Sequence, residues 1–234
     1  MTRTALVLGG SGYVGSEVVR RLTARDVHTH FTFHASEKQA AELQAATSAQ
    51  AHRVDLRRPE AIQALFDELG AQGVTPDVLI HCAAVLDTSA PDGISNGDLD
   101  EAYAVICRSA LLASQLAARG MNDGGDIVLV GALDRAQSLP IPTAFAACQG
   151  MLSGLSMGLA KELGARNVRV NLLTFGLLEG GLSRRLPETT RNAYLNYSAA
   201  RRFGTAAEAA RSIAWLALDN RYMSGKVAAF NGGI

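Results

Sequence analysis

The chain has 234 residues, and its 22 Lys and Arg are balanced by 22 Asp and Glu. A net charge of zero removes the bulk attraction that a nucleic acid or an anionic membrane would need. With 48% of residues from the set AVILMFWYC and only 19% charged, a packed core is expected and a disordered chain is not.

The length fits one domain over residues 1–234. The elements read in chain order as short apolar runs alternating with helical patterns. Strands are predicted at Ala5–Leu8, His30–Phe33, His52–Val54, Val78–His81, Ile127–Val130, Val168–Leu172 and Val227–Phe230. Several are apolar at consecutive positions, the pattern of strands buried on both faces of a parallel sheet. Helices are predicted at Tyr13–Ala24, Glu37–Ala46, Pro59–Leu69, Leu99–Arg119, Thr143–Leu163 and Ala206–Leu218. Pro59 suits a first helical position, where its missing N–H costs nothing. Such alternation implies right-handed βαβ units and an α/β fold, a doubly wound, Rossmann-like parallel sheet of about seven strands. Asp87–Gly97 and Thr174–Pro187 read as loops, the second long enough to be a flap over a site.

The three cysteines, Cys82, Cys107 and Cys148, are odd in number and far apart, which supports neither a disulfide framework nor a zinc ribbon. The first apolar run is too short for a secretion signal, and no run reaches membrane-spanning length. A cytoplasmic protein without a membrane or nucleic-acid partner is the expectation. His28 and His30 alternate on one strand, but no third ligand accompanies them, so no metal site is expected.

Gly9-Gly10-Ser11-Gly12-Tyr13-Val14-Gly15 follows the first strand and opens a helix. Three-spaced glycines allow a tight turn and close backbone approach, and the helix start then offers unpaired N–H groups to phosphates. A tight turn without a ligand is the plain alternative, but the strand–turn–helix context favours a nucleotide. Other candidates fall at strand ends. Asp55 could accept from an adenine amino group, and His81-Cys82-Ala83-Ala84 offers small residues beside a ribose. The second strand ends in His34-Ala35-Ser36 with no acid to grip the ribose hydroxyls of NAD, which leans toward NADP. The candidate cofactor residues are Gly9, Ser11, Gly12, Tyr13, Val14, Gly15, His34, Asp55, Leu56 and Ala83.

These motifs resemble the short-chain dehydrogenase/reductase family over nearly the whole chain. L-G-G-S-G-Y-V-G resembles its cofactor loop, V-D-L at Val54–Leu56 its adenine pocket, and H-C-A-A its Asn-Asn-Ala-Gly. V-R-V-N at Val168–Asn171, R-R-F-G-T-A-A-E-A-A at Arg201–Ala210 and S-G-K-V-A-A-F-N-G-G-I at Ser224–Ile234 resemble its later elements. The resemblance places the family's catalytic residues one at a time. Its Tyr-x-x-x-Lys falls on Phe145 and Gln149, its serine on Ala132 beside Gly131, and its helix-bending asparagine on Ile106 or Cys107. Its Pro-Gly becomes Phe175-Gly176 and its following threonine Gly180.

Phe145 has no hydroxyl, Gln149 no charge, and Ala132 nothing to donate. General acid–base help alone typically contributes about 10²–10⁴ in rate. Only three lysines exist, Lys38, Lys161 and Lys226, and none offers a substitute. The expectation is a catalytically inactive subunit in which no cofactor is required and binding of NADP or NAD is weak or absent, given Gln149 and Gly180. It would pair with an active paralogue or form a homo-oligomer through Leu99–Arg119 and Thr143–Leu163, the helices by which the family usually assembles; a hydroxyacyl-CoA dehydrogenase complex is one such arrangement. Gly150, Gly154 and Gly158 form a stripe on the second helix that would admit another backbone, or else pack on the chain's own sheet. The alternative is an NADP-dependent ketoreductase or dehydrogenase with a different proton donor, for which Tyr103, His81, Tyr194 and Tyr197 are candidates. Cys148, with no partnered base, reads as a small apolar residue. A third class is a ligand-sensing regulator that uses the same cleft.

Overall fold

The computed structural model describes residues 3–132 and 141–234. Seven parallel strands form one sheet in the order β3-β2-β1-β4-β5-β6-β7. They are β1 (Thr4–Leu8), β2 (His28–Phe33), β3 (Gln50–Arg53), β4 (Val78–His81), β5 (Gly125–Gly131), β6 (Val168–Phe175) and β7 (Val227–Phe230). The helices are α1 (Tyr13–Thr23), α2 (Glu37–Thr47), α3 (Pro59–Ala71), α4 (Asn96–Ala102), α5 (Ser109–Gly120), α6 (Thr143–Leu163), α7 (Glu188–Tyr197) and α8 (Ala206–Leu218). This is the doubly wound α/β fold that the sequence predicts.

The core lies on both faces of the sheet. Along β1, Ala5 and Val7 pack against α1 and α8 residues such as Val18, Val19 and Ile213, while Leu6 and Leu8 pack toward Ile62, Leu65 and Ala113 on the other face. Each fully buried Leu contributes about 1.5–3 kcal/mol, which is why consecutive apolar residues specify a central strand. Where β1 connects to β2 on one side and neighbours β4 on the other, the connections diverge and leave a crevice at the strands' carboxyl ends. Asn171 in β6 ties the last strand in place: its amide donates to the Met223 carbonyl at 2.8 Å and its oxygen accepts from the Lys226 N–H at 3.2 Å.

Several features depart from the sequence reading; β2 starts two residues early, at His28, and β5 extends to Gly125–Gly131. The predicted helix Leu99–Arg119 is α4 and α5 joined by a wider π-helical segment, Tyr103–Arg108. Ser109 explains the widening. Its hydroxyl donates to the Val105 carbonyl (2.6 Å) and lies 2.7 Å from His81 Nε2, so a side chain takes over a helical acceptor. Ile106, the position matched to the family's asparagine, is buried in the core. β3 runs from Gln50 to Arg53 and β6 reaches Phe175, both shifted from the predicted spans. Glu188–Tyr197, beyond the predicted flap, is a helix that the periodicity did not reveal.

Candidate nucleotide cleft and inner chamber

At the C-terminal end of β1 the chain turns at Gly9 with φ +75°; a Cβ there would lie 2.9 Å from the backbone of Ala83, so only glycine serves. The turn delivers Gly12 as the cap of α1, and the Gly12 carbonyl accepts from Ser16. The N–H groups of the first turn of α1 have no intrahelical acceptors and are set to meet an anion. Gly12 itself is exposed.

Two adjoining spaces share this turn and meet at Gly12, Cys82 and Ala84. The outer one is lined by Gly9, Ser11, His34, Ser36, Asp55, Leu56, Arg57 and Ala83, among others. Here Arg57 grips Asp55 with two contacts, Nε to Oδ1 and a terminal nitrogen to Oδ2, each 2.8 Å. The guanidinium holds the Asp55 carboxyl down to about 2. Arg57 also reaches Glu101 at 3.3 Å and lies 3.2 Å from His34 Nε2. Arg57 has no lone pair to offer, so in any hydrogen bond between the two it is the guanidinium that donates. Ser36 caps α2 without a side-chain hydrogen bond to it.

The inner space is a cavity of about 310 Å³. Its described walls carry Leu86, Val130, Phe145, Phe175, Leu182 and Leu186, and no Asp, Glu, Lys, Arg or His among the described lining residues. Phe145, Gln149 and Ala132 come together in it, as the sequence reading requires. Gln149 is buried, and its Oε1 accepts from the Ala132 N–H at 3.0 Å. Desolvation pushes the Cys82 thiol up to about 12, which leaves it protonated near neutral pH.

The four alternative donors fare differently. Tyr194 lines the chamber, but its hydroxyl donates to the Asn231 carbonyl at 2.8 Å. Tyr197 and Tyr103 are exposed and line neither space. His81 is fully buried under Ser109, and burial lowers its pKa to about 4. Every predicted cofactor residue lines the cleft. Sequence reasoning missed Arg57, whose signal was its place two residues after Asp55, and Thr190, which the unrecognised α7 brings to the chamber wall. His30 does not pair with His28; its Nδ1 lies 3.0 Å from His52 Nε2 on β3. Among the described residues no group of three His, Cys, Asp or Glu could hold a metal, and no helix is long and apolar enough to cross a membrane.

Comparison with known proteins agrees with this fold. The family model described as enoyl-(acyl carrier protein) reductase matches residues 12–234. A cyclic-di-GMP-binding biofilm dispersal mediator protein of Escherichia coli is 28% identical over 219 residues, covering 92% of this chain and 89% of that protein. A short-chain dehydrogenase/reductase from Serratia marcescens superposes with a TM-score of 0.92 at 28% identity, covering 99% of this chain and 97% of that one. Two further solved structures hold the nucleotide. A blue fluorescent protein from a metagenomic library, in complex with NADPH, has a TM-score of 0.92 at 26% identity. A short chain dehydrogenase from Burkholderia cenocepacia, in complex with NADP, has a TM-score of 0.89 at 26% identity. Each covers 99% of this chain and 97% of its own.

These complexes overturn the expectation that no cofactor is required and that NADP or NAD binding is weak or absent. The expectation weighed two side-chain positions, Gln149 and Gly180, above the glycine turn and the strand-end residues that line the cleft. The matched family model and the fold together place the chain in the short-chain dehydrogenase/reductase family.

Proposed function

We propose that this chain is an NADP(H)-binding member of the family that performs no redox turnover alone and supports an active paralogue in a hetero-oligomer. The cleft residues fit a dinucleotide. The first turn of α1 suits a pyrophosphate, and Asp55 with Leu56 suits the adenine side. His34, Ser36 and Arg57 gather donors where a phosphate on the adenosine ribose would lie. A bound nicotinamide supplies hydride; everything else must come from the protein.

The observation that carries the reading is the trio at the chamber wall. Phe145 presents a phenyl ring, Ala132 a methyl group, and Gln149 an uncharged amide whose oxygen is engaged by the Ala132 N–H. These three side chains offer a substrate carbonyl no acid and an alcohol no base. The outer faces of the two long helices support the pairing. An added Cβ on Gly150, Gly154 or Gly158 would meet nothing within 4 Å, so the stripe faces away from the chain's own sheet. Met151 and Met157 of α6 and Leu99 and Tyr103 beside it are exposed apolar groups.

Co-expression with a paralogue that carries an intact Tyr-x-x-x-Lys, followed by tagged purification and light scattering, tests this. A stoichiometric mixed assembly in which only the paralogue turns over is expected. A homomer of this chain that reduces carbonyls with NADPH would refute the reading and favour the ketoreductase alternative.

A further inference from the structure

Tyr13 is the first residue of α1, and its ring lies across the cleft against the loop after β6. The fit is close at two successive glycines. A Cβ on Gly180 would lie 2.6 Å from Tyr13 Cε2 and 2.7 Å from Cζ; one on Gly181 would lie 3.0 Å from Tyr13 Cβ. Gly181 also has φ +64°, a conformation that favours glycine. The loop is anchored at its base. Leu178 N–H donates to Ser183 Oγ at 3.0 Å, Glu179 N–H to the Gly204 carbonyl at 2.9 Å, and Arg184 Nε to the Glu179 carbonyl at 3.1 Å. At its tip, Tyr13 is the contact that reaches it from the phosphate-binding turn.

We propose that Tyr13 is a clasp: seated on Gly180 and Gly181, it holds the 177–186 flap against the first turn of α1 and so sets how fast a nicotinamide dinucleotide enters and leaves. The inference rests on the nucleotide reading above and adds to it that the nucleotide is a retained group rather than a freely exchanging co-substrate. The contact is made by the ring, not by the hydroxyl. Removing the ring frees the flap. Adding a methyl group at Gly180 pushes the ring off its seat and has the same consequence.

Hydrogen exchange of nucleotide-free protein reads the clasp directly. Y13A and G180A each raise exchange of the 179–183 amides by about ten-fold, Y13F leaves it unchanged, and the double variant Y13A/G180A exchanges no faster than either single variant. Stopped-flow release of NADPH, chased with excess NADP+, is about ten-fold faster from Y13A than from wild type or Y13F. Equal flap exchange in wild type and Y13A, additive single effects, or equal release rates would overturn the clasp. If wild type gives no NADPH fluorescence change at all, the nucleotide reading falls and takes the retained-group claim with it, while the exchange comparison still decides whether Tyr13 holds the flap.

Discussion

Mild acid should weaken this fold through its buried histidines. His30 and His81 are buried, and desolvation lowers each to about 4 from the ordinary 6.5. His81 cannot escape by ionising in place. Ser109 uses its one proton on the Val105 carbonyl, so His81 donates from Nε2, and its Nδ1 is buried without a partner. His30 faces His52, whose own pKa is lowered by burial, with His28 and Glu68 nearby. Between pH 6.5 and 4 the unfolded chain takes up protons that the folded chain refuses. Stability is therefore full above pH 6.5 and falls as pH drops toward 4. With these values, moving from pH 7.5 to 5 costs about 2 kcal/mol per histidine, or about 4 kcal/mol for the pair. Asp55 and Glu208, both held at about 2, stay ionised across that window. Urea unfolding followed by far-ultraviolet circular dichroism should show the midpoint falling by about 1.5 M over that range. H30N and H81N should each remove about half of the pH dependence, whatever they do to stability at neutral pH. A midpoint that moves by less than about 0.3 M, or a pH dependence unchanged in both variants, would refute the reasoning.

Other perturbations separate the parts of the structure. D126N should cost about 3–5 kcal/mol in urea unfolding, because the buried Asp126 carboxylate is held by Arg3 at 2.7 Å and Arg169 at 2.8 Å, and its loss leaves both cations uncompensated. G9A forces a side chain into a left-handed turn and against Ala83, so about 2 kcal/mol of stability and NADPH binding should be lost together; a melting curve and a fluorescence titration report each. G154L fills open space, so the melting temperature of a dilute single chain should stay within a few degrees while the assembly seen by light scattering is lost. F145Y alone should gain no turnover, since Gln149 brings no charge to lower a phenol's pKa; carbonyl-dependent NADPH oxidation by F145Y at a normal enzymatic rate would contradict that.

The fold was legible because its signals are local and redundant. Ala5–Leu8 is apolar on both faces, Pro59 starts its helix, and Thr143–Leu163 and Ala206–Leu218 form as predicted. The π segment was not legible, because it depends on Ser109 meeting His81, a residue 28 positions away. The helix Glu188–Tyr197 was hidden by a polar sequence with only Tyr194 buried, which gives no clear apolar stripe. In the site, the glycine turn and the Phe145–Gln149–Ala132 grouping could be read from spacing and family resemblance. Arg57's grip on Asp55 and the seat of Tyr13 on Gly180–Gly181 could not, since both arise from distances that only the folded chain sets. Nucleotide binding was misjudged because two side-chain positions, Gln149 and Gly180, were weighed above the glycine turn that the same sequence displays.

The central claim is the proposal that the cleft holds the dinucleotide beside Phe145, Gln149 and Ala132, three side chains that exchange no proton. Mixing the purified chain with stoichiometric NADPH and a panel of ketones, while recording nucleotide fluorescence and absorbance at 340 nm together, tests it most directly. The account predicts saturable binding with no carbonyl-dependent loss of absorbance above the rate in buffer. Carbonyl-dependent oxidation that scales with this chain, and survives removal of every co-purifying homologue, would contradict it.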